Sequence, residues 1–354
     1  MKATLELLIV TLVLLAAAVA YAMLGDPGFG HPPAGTPGVA DRGDRGPAPA
    51  PGPPAARPDP PPTVGGNQTR FLTHGGLERR YLVHVPRGYD PSRPCPVVLA
   101  FHDALGAAEL FVTQGQWDRF ADRHGVLVVY PEGTGRSTQM LTFNAGTCCG
   151  YAARSGVDDV GFVRALLDAL PSLYAVDRRR VYATGLGNGA MLCYRLACEM
   201  PERLAAIGPV GGGMTVEGPR PARPVPLVHV HGLEDGFAPA EGGVGPTPLQ
   251  TYYHRPIRDV IAWWAEVNHC RKEPAGVERR KDYVLQRYAP APGRAGAPVL
   301  LYTIPGAGHN WPGGVDATEH KGTGPFVRSV DATALIWEFF ERFRLDDGEG
   351  GRKG

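Results

Sequence analysis

The stretch VYATGLGNGAMLCYRLACE, residues 181–199, decides how this chain is read. It opens on four residues suited to a buried strand and closes on a run of helix formers with apolar side chains three and four apart. Between them Gly185-Leu186-Gly187-Asn188-Gly189 leaves no length for an ordinary loop, so the spacing predicts a strand, a very tight turn and a helix. Three readings compete for such a turn. In the first, G-x-S-x-G, flanking glycines bring strand and helix close enough to expose a serine on a strained central position; here the central residue is Gly187. In the second, Gly185-x-Gly187-x-x-Ala190 formally matches the dinucleotide fingerprint, but the acidic residue expected about 20 positions on is missing from Ala205-Ala206-Ile207-Gly208-Pro209. In the third, the turn is glycine-rich and holds no ligand.

Outward from this turn, apolar runs at 81–85, 97–101, 126–130, 181–184, 227–231 and 299–304 read as strands. Amphipathic stretches at 109–122, 158–173, 190–200, 258–267 and 332–343 read as helices between them. The alternation predicts an α/β domain: a mostly parallel, doubly wound sheet with helices on both faces. Chemistry in such sheets gathers at the carboxyl ends of the strands. There the chain places His102-Asp103-Ala104-Leu105-Gly106, then His231-Gly232-Leu233-Glu234-Asp235, then Gly306-Ala307-Gly308-His309. A loop able to offer backbone donors, a carboxylate and a late histidine, with elbow, acid and histidine in that chain order, is the arrangement of an alpha/beta hydrolase.

At these residues the chain resembles the exported esterases that include polyhydroxybutyrate depolymerases and feruloyl esterases of the first carbohydrate esterase family. The resemblance runs from about residue 79 to 343. It rests on RRYLVHVPRGYD (79–90), FHDALG (101–106), VVYPEGTG (128–135), NAGTCCGYAARSGVDDVGF (144–162), the elbow stretch itself, HGLEDG (231–236) and GAGHNWPGG (306–314). It implies hydrolysis of a carboxylic ester, with Asp235 as triad acid, His309 as triad base, position 187 as the nucleophile's place, His102, Asp103 and Asn188 around the oxyanion, and Trp311 lining the substrate groove; a tryptophan packed in the core or a loop is the other reading of Trp311. No cofactor and no metal are implied. The implied ligand is a small or polymeric ester.

Two departures matter. Gly187 has no side chain to attack with, and no Ser or Cys lies beside it in the turn; Thr184 is three residues back on the strand. Asp103 stands where the family usually has glycine, bringing a negative charge toward the place where an oxyanion develops. Losing a triad serine costs on the order of a millionfold in turnover. The expectation is a pseudoenzyme, or a strongly impaired esterase, that keeps a pocket for its ester. The alternatives are a serine-independent hydrolase in which His309 and Asp235 activate water or another nucleophile acts, and, as a formal match only, a dinucleotide-binding oxidoreductase.

Composition sets the frame around this domain. Of 354 residues, 48 are Gly and 36 Pro, and the excess is concentrated in residues 26–66, a stretch with almost no large apolar side chain that reads as a disordered linker. Before it, residues 1–25 carry Lys2, an apolar run over 7–20 and Ala-x-Ala sites at 18/20 and 20/22, the pattern of an export signal. A cleaved signal and an uncleaved membrane anchor both fit, and the expected location is secreted, periplasmic or otherwise extracytoplasmic. The domain is expected over 67–344 and a flexible tail over 345–354. With Lys+Arg 36 against Asp+Glu 35, nothing supplies the basic stripe that nucleic acid requires. Six cysteines in an exported chain predict at least one disulfide, of unassigned pairing.

The remaining signals are ambiguous. His229 and His231 share a strand face and suit either a metal or a structural turn. Asp158-Asp159 reads as a helix N-cap, Trp263-Trp264 as half core and half surface, and residues 240–256, rich in Gly and Pro, as a lid or a passive loop.

Overall fold

The computed structural model describes residues 63–138, 140–216, 220–245, 252–316 and 323–346, which belong to the unit Pro58–Gly354. The expected leader and nearly all of the linker lie outside the described residues, as do positions 246–251 of the expected lid and 347–354 of the tail.

Among the described residues twelve strands form: β1 (Gly66–His74), β2 (Leu77–Val85), β3 (Cys95–Phe101), β4 (Leu127–Pro131), β5 (Val176–Leu186), β6 (Ala206–Val210), β7 (Leu227–Gly232), β8 (Gly243–Val244), β9 (Tyr253–His254), β10 (Gly276–Arg279), β11 (Val284–Tyr288) and β12 (Val299–Ile304). The helices are α1 (Ala108–Gly115), α2 (Trp117–His124), α3 (Gly150–Arg154), α4 (Asp159–Leu173), α5 (Asn188–Glu199), α6 (Ile257–Val267) and α7 (Ala332–Phe340). Ten strands make one sheet in the order β1-β2-β4-β3-β5-β6-β7-β12-β11-β10, parallel from β4 through β12 and antiparallel at both flanks.

The two faces are sorted by the period-two alternation of each strand. Val97, Leu99 and Phe101 of β3 pack with Phe162, Leu192, Ile261 and Trp264 of α4, α5 and α6. Val98 and Ala100 point the other way, into a second core with Phe111, Trp117, Ile336 and Phe340 of α1, α2 and α7. Burial on both faces explains why the central strands read as unbroken apolar runs.

Several expectations change. The single helix expected over 109–122 is two, because Gln116 takes a left-handed conformation (φ 53°) that ends α1 and restarts α2, directing the wholly buried Trp117 inward. The linker stops sooner than expected, since Gly65 donates to Val85 O and Gly66 begins β1. Leu345 is tied to the sheet by reciprocal bonds with Arg179, so no free tail begins there. The sequence reading missed β6, whose Gly208 and Pro209 look like a turn. Gly208 is accommodated because a Cβ there would press to 2.7 Å of Ile336 Cγ2 on α7. Asp158 caps α4 as expected, accepting from the Gly161 amide.

Candidate active site

The turn between β5 and α5 has the predicted form. Gly187 sits at φ 52° and ψ −112° as the N-cap of α5, the strained position that places a residue above the sheet edge. Gly185 allows the approach: a Cβ there would come to 2.7 Å of Phe101 O on β3. The structure therefore builds a tight strand–turn–helix elbow whose central residue carries no side chain.

The carboxylate of Asp103 fills that place. A Cβ built on Gly187 would fall on Asp103 Oδ1 and lie 2.9 Å from its Oδ2. Oδ1 accepts from the backbone N–H of Asn188 (2.8 Å) and from that of Ala104 (2.6 Å). One donor follows the elbow residue and the other comes from the loop after β3, the two sources from which an oxyanion hole is built. Oδ2 lies 2.9 Å from His309 Nε2, where a serine hydroxyl would stand.

On the other side of the ring, His309 Nδ1 is 2.8 Å from Asp235 Oδ2, and Asp235 Oδ1 accepts from the amides of Phe237 (2.9 Å) and Ala238 (2.7 Å). Asp235 and His309 are both buried, while the Asp103 side chain is 26% exposed. Burial alone would lower the proton affinity of His309. The carboxylates of Asp235 and Asp103 outweigh it and hold the imidazole well above its ordinary range, so it is an imidazolium donating from both nitrogens at neutral pH. Burial pushes Asp235 up, but the adjacent His309 more than compensates and leaves it below the usual carboxylate range. The result is a fixed row of carboxylate, imidazolium and carboxylate.

His102 supports the loop from beneath. Its Nδ1 lies 2.7 Å from Asp103 O and its Nε2 accepts from the Gly133 amide at 3.0 Å, which fixes the tautomer with the proton on Nδ1. Burial brings its pKa down to about 4, so it stays neutral. The Asn188 side chain is turned away from the site: Oδ1 accepts from Phe143 N–H and Nδ2 donates to Phe143 O. Only the Asn188 backbone faces Asp103.

Residues 80–220 match the family described as Esterase PHB depolymerase. A Nocardia uniformis subsp. tsuyamanensis protein named as an esterase, NocK, is 30% identical over 264 residues, 69% of this chain and 74% of that protein. The chain belongs to the PHB depolymerase and feruloyl esterase-like family. Within this esterase family, feruloyl esterase B of Piromyces equi is 27% identical over 245 residues, 65% of this chain. That match spans 42% of the Piromyces protein's own length. Among solved structures, an acetyl xylan esterase from Aspergillus awamori superposes with a TM-score of 0.51 at 15% identity, covering 70% of this chain and 94% of that one. The alpha/beta-hydrolase fold is thus shared well beyond sequence likeness.

Measured against the esterase-family expectation, the site residues divide into three groups. Asp235 and His309 meet as foreseen. Asp103, expected near the oxyanion, accepts from the amides of Ala104 and Asn188, lies against His309 and fills the volume that a Cβ on residue 187 would take. Trp311, read as a groove residue or a core residue, takes the second place: it is 1% exposed, donates from Nε1 to Thr333 Oγ1 (2.9 Å) and packs edge-on against Phe111 and Trp117.

His229 and His231 do share a face, but each is spent on a hydrogen bond. Tyr194 OH, His229, His231 and Ala238 O form a chain with links of 2.8, 3.0 and 2.7 Å. The chain ends on the loop that carries Asp235. Cys148 and Cys149, adjacent in the chain, bring their sulfurs together, while Cys95, Cys193, Cys198 and Cys270 are free thiols.

Two neighbours of the Asp235–His309 pair were not legible in the sequence. The Phe237 ring stands 5.3 Å from the His309 ring, and buried His254, on β9, is brought down to about 4 by burial, partly countered by Asp235. His254 lies within 240–256, a segment read as a lid or a passive loop from its glycines and prolines and from Tyr252 and Tyr253, not from its histidine.

Proposed function

We propose that this chain is an exported member of its esterase family that has lost serine-based hydrolysis and keeps a site for a small or polymeric carboxylic ester. One observation carries the reading: the Asp103 carboxylate lies on the two backbone donors and on His309 Nε2, all three of which a serine esterase needs for its substrate. An ester carbonyl entering this site meets a full negative charge where its own oxygen has to gather charge, which raises the barrier instead of lowering it.

The same geometry disfavours a water activated by His309. A general base needs a free lone pair, and here both ring nitrogens hold protons directed at carboxylates. A dinucleotide at the α5 N-terminus is disfavoured in turn, since its pyrophosphate would face the Asp103 carboxylate.

Export rests on the composition of residues 1–25, and anchoring on whether they are cleaved. A disulfide between Cys148 and Cys149 fits an oxidising compartment. Names among the relatives point to feruloyl and related esters as the ligand class.

The test is calorimetric titration of the full chain with methyl ferulate and methyl 3-hydroxybutyrate, beside treatment with a fluorophosphonate. Ester binding without turnover and without fluorophosphonate labelling is expected. Labelling of any residue, or turnover abolished by that reagent, overturns the reading.

A further inference from the structure

Asp103 is more than an obstruction, because its two oxygens are held differently. A carboxylate offers about four acceptor sites. Oδ1 uses two of its own on the amides of Asn188 and Ala104; Oδ2 uses one on His309. The open lone pair is on Oδ2, on a side chain that still reaches solvent. The donors that a serine enzyme aims at its substrate are here aimed at the carbonyl oxygen of Asp103 itself. They are placed to stabilise a tetrahedral intermediate at Asp103 Cγ, which forms when an ester of Asp103 is hydrolysed.

We propose that Asp103 is a nucleophile, and that the site accepts, besides a carboxylic ester, an alkyl electrophile, a primary carbon bearing a halide or sulfonate. Attack on a saturated carbon needs no oxyanion hole, so the occupied hole is no hindrance in this step. Oδ2 forms a bond to the alkyl carbon, the bond to the leaving group breaks, and the leaving group departs with the electron pair as an anion.

Esterification removes one of the two charges that hold the proton on His309. Asp235 keeps the proton on Nδ1, and the Nε2 proton passes to solvent, leaving Nε2 as a base beside the new ester. A water gives one proton to Nε2 and adds to Cγ, placing the negative charge on Oδ1 between the two amides. Collapse breaks the Cγ–Oδ2 bond, and the alcohol leaves with Oδ2 and the proton from His309. The remaining acid proton returns to Nε2. The sum is alkyl halide plus water to alcohol plus halide and one proton.

This goes beyond the loss of ester hydrolysis and uses the same residues. The experiment incubates the full chain with 1-bromobutane in heavy-oxygen water under single-turnover conditions, followed by mass spectrometry of the peptide bearing Asp103. One label in Asp103 and an unlabelled first-turnover butanol are expected. In the His309→Gln variant, butanol release falls about a thousandfold and a butyl adduct accumulates on Asp103; in Asp103→Asn no adduct forms there.

Label in butanol alone, a butyl group only on cysteine or histidine, or no reaction in the native chain overturns the proposal. The heavy-oxygen result needs no variant, so a misfolded His309→Gln protein does not blunt the test. Absence of alkyl transfer leaves the lost-serine reading standing if the native chain still binds esters without turning them over, so the two failures are distinguishable.

Discussion

Asp103 and Gly187 share one volume: the carboxylate of the first lies where the second would carry its Cβ. The two residues that the sequence reading singles out are therefore coupled in one structural feature. Without a side chain at 187 there is room for the carboxylate, and with the carboxylate in place His309 and both backbone donors are satisfied in the absence of serine. A serine restored at 187 alone would have to expel Asp103 from three hydrogen bonds, one of them with an imidazolium.

Replacing Asp103 by Asn removes one of the two charges acting on His309. Histidine NMR titration of this variant is expected to show the His309 pKa moving down from its native position, still supported by Asp235. Because the native pKa is raised above the unfolded value, the pair's stabilisation is complete below about pH 6.5 and is lost as pH rises through the folded pKa. Denaturant melts should accordingly show the native chain ahead of Asp103→Asn near neutrality, with the gap closing on the alkaline side. An unmoved His309 titration contradicts the ion-pair assignment.

Acid weakens the fold through a different set of histidines. His102 and His254 are brought to about 4 by burial, and His229 and His231 are lowered by the same cause. Below pH 6.5 the unfolded chain takes up protons that the folded chain refuses, so stability falls steadily from pH 6.5 toward pH 4; His102 alone accounts for about 3 kcal/mol. Asp235, with its folded pKa depressed, adds a further loss only below about pH 4, its unfolded range. Melts at intervals across this window measure the slope, and a flat profile between pH 6.5 and 4 contradicts the burial of neutral histidines.

Trp311 tests core against groove. Trp311→Ala should lower stability by about 3–5 kcal/mol through the cavity left against Phe111 and Trp117. Trp311→Phe should retain most of the packing and leave ester affinity unchanged. A loss of ester affinity in Trp311→Phe without loss of stability would restore a groove role.

Much of this was legible in residue order. Strands β3, β5, β7 and β12 announce themselves as apolar runs, and the glycines at 185–189 announce the elbow. Asp235 and His309 follow from chain order at strand ends. What escaped depends on three-dimensional neighbours. Gly208 reads as a turn until Ile336 is known to press on it. Trp311, two residues past His309, reads as groove or core until its indole is found on Thr333. The charge of Asp103 is plain in the sequence, but the direction of its carboxylate is set by two backbone amides and one imidazole, and only the folded chain brings these together.

The most direct measurement is hydrolysis of 4-nitrophenyl butyrate by three purified proteins: native, Gly187→Ser, and Asp103→Gly with Gly187→Ser. The native chain and the single variant should both stay near background, and the double variant should exceed them by at least about a thousandfold as the serine, His309 and the freed amides act together. Full activity in the native chain, or in the Gly187→Ser variant with Asp103 still present, would contradict the claim that Asp103 occupies the site.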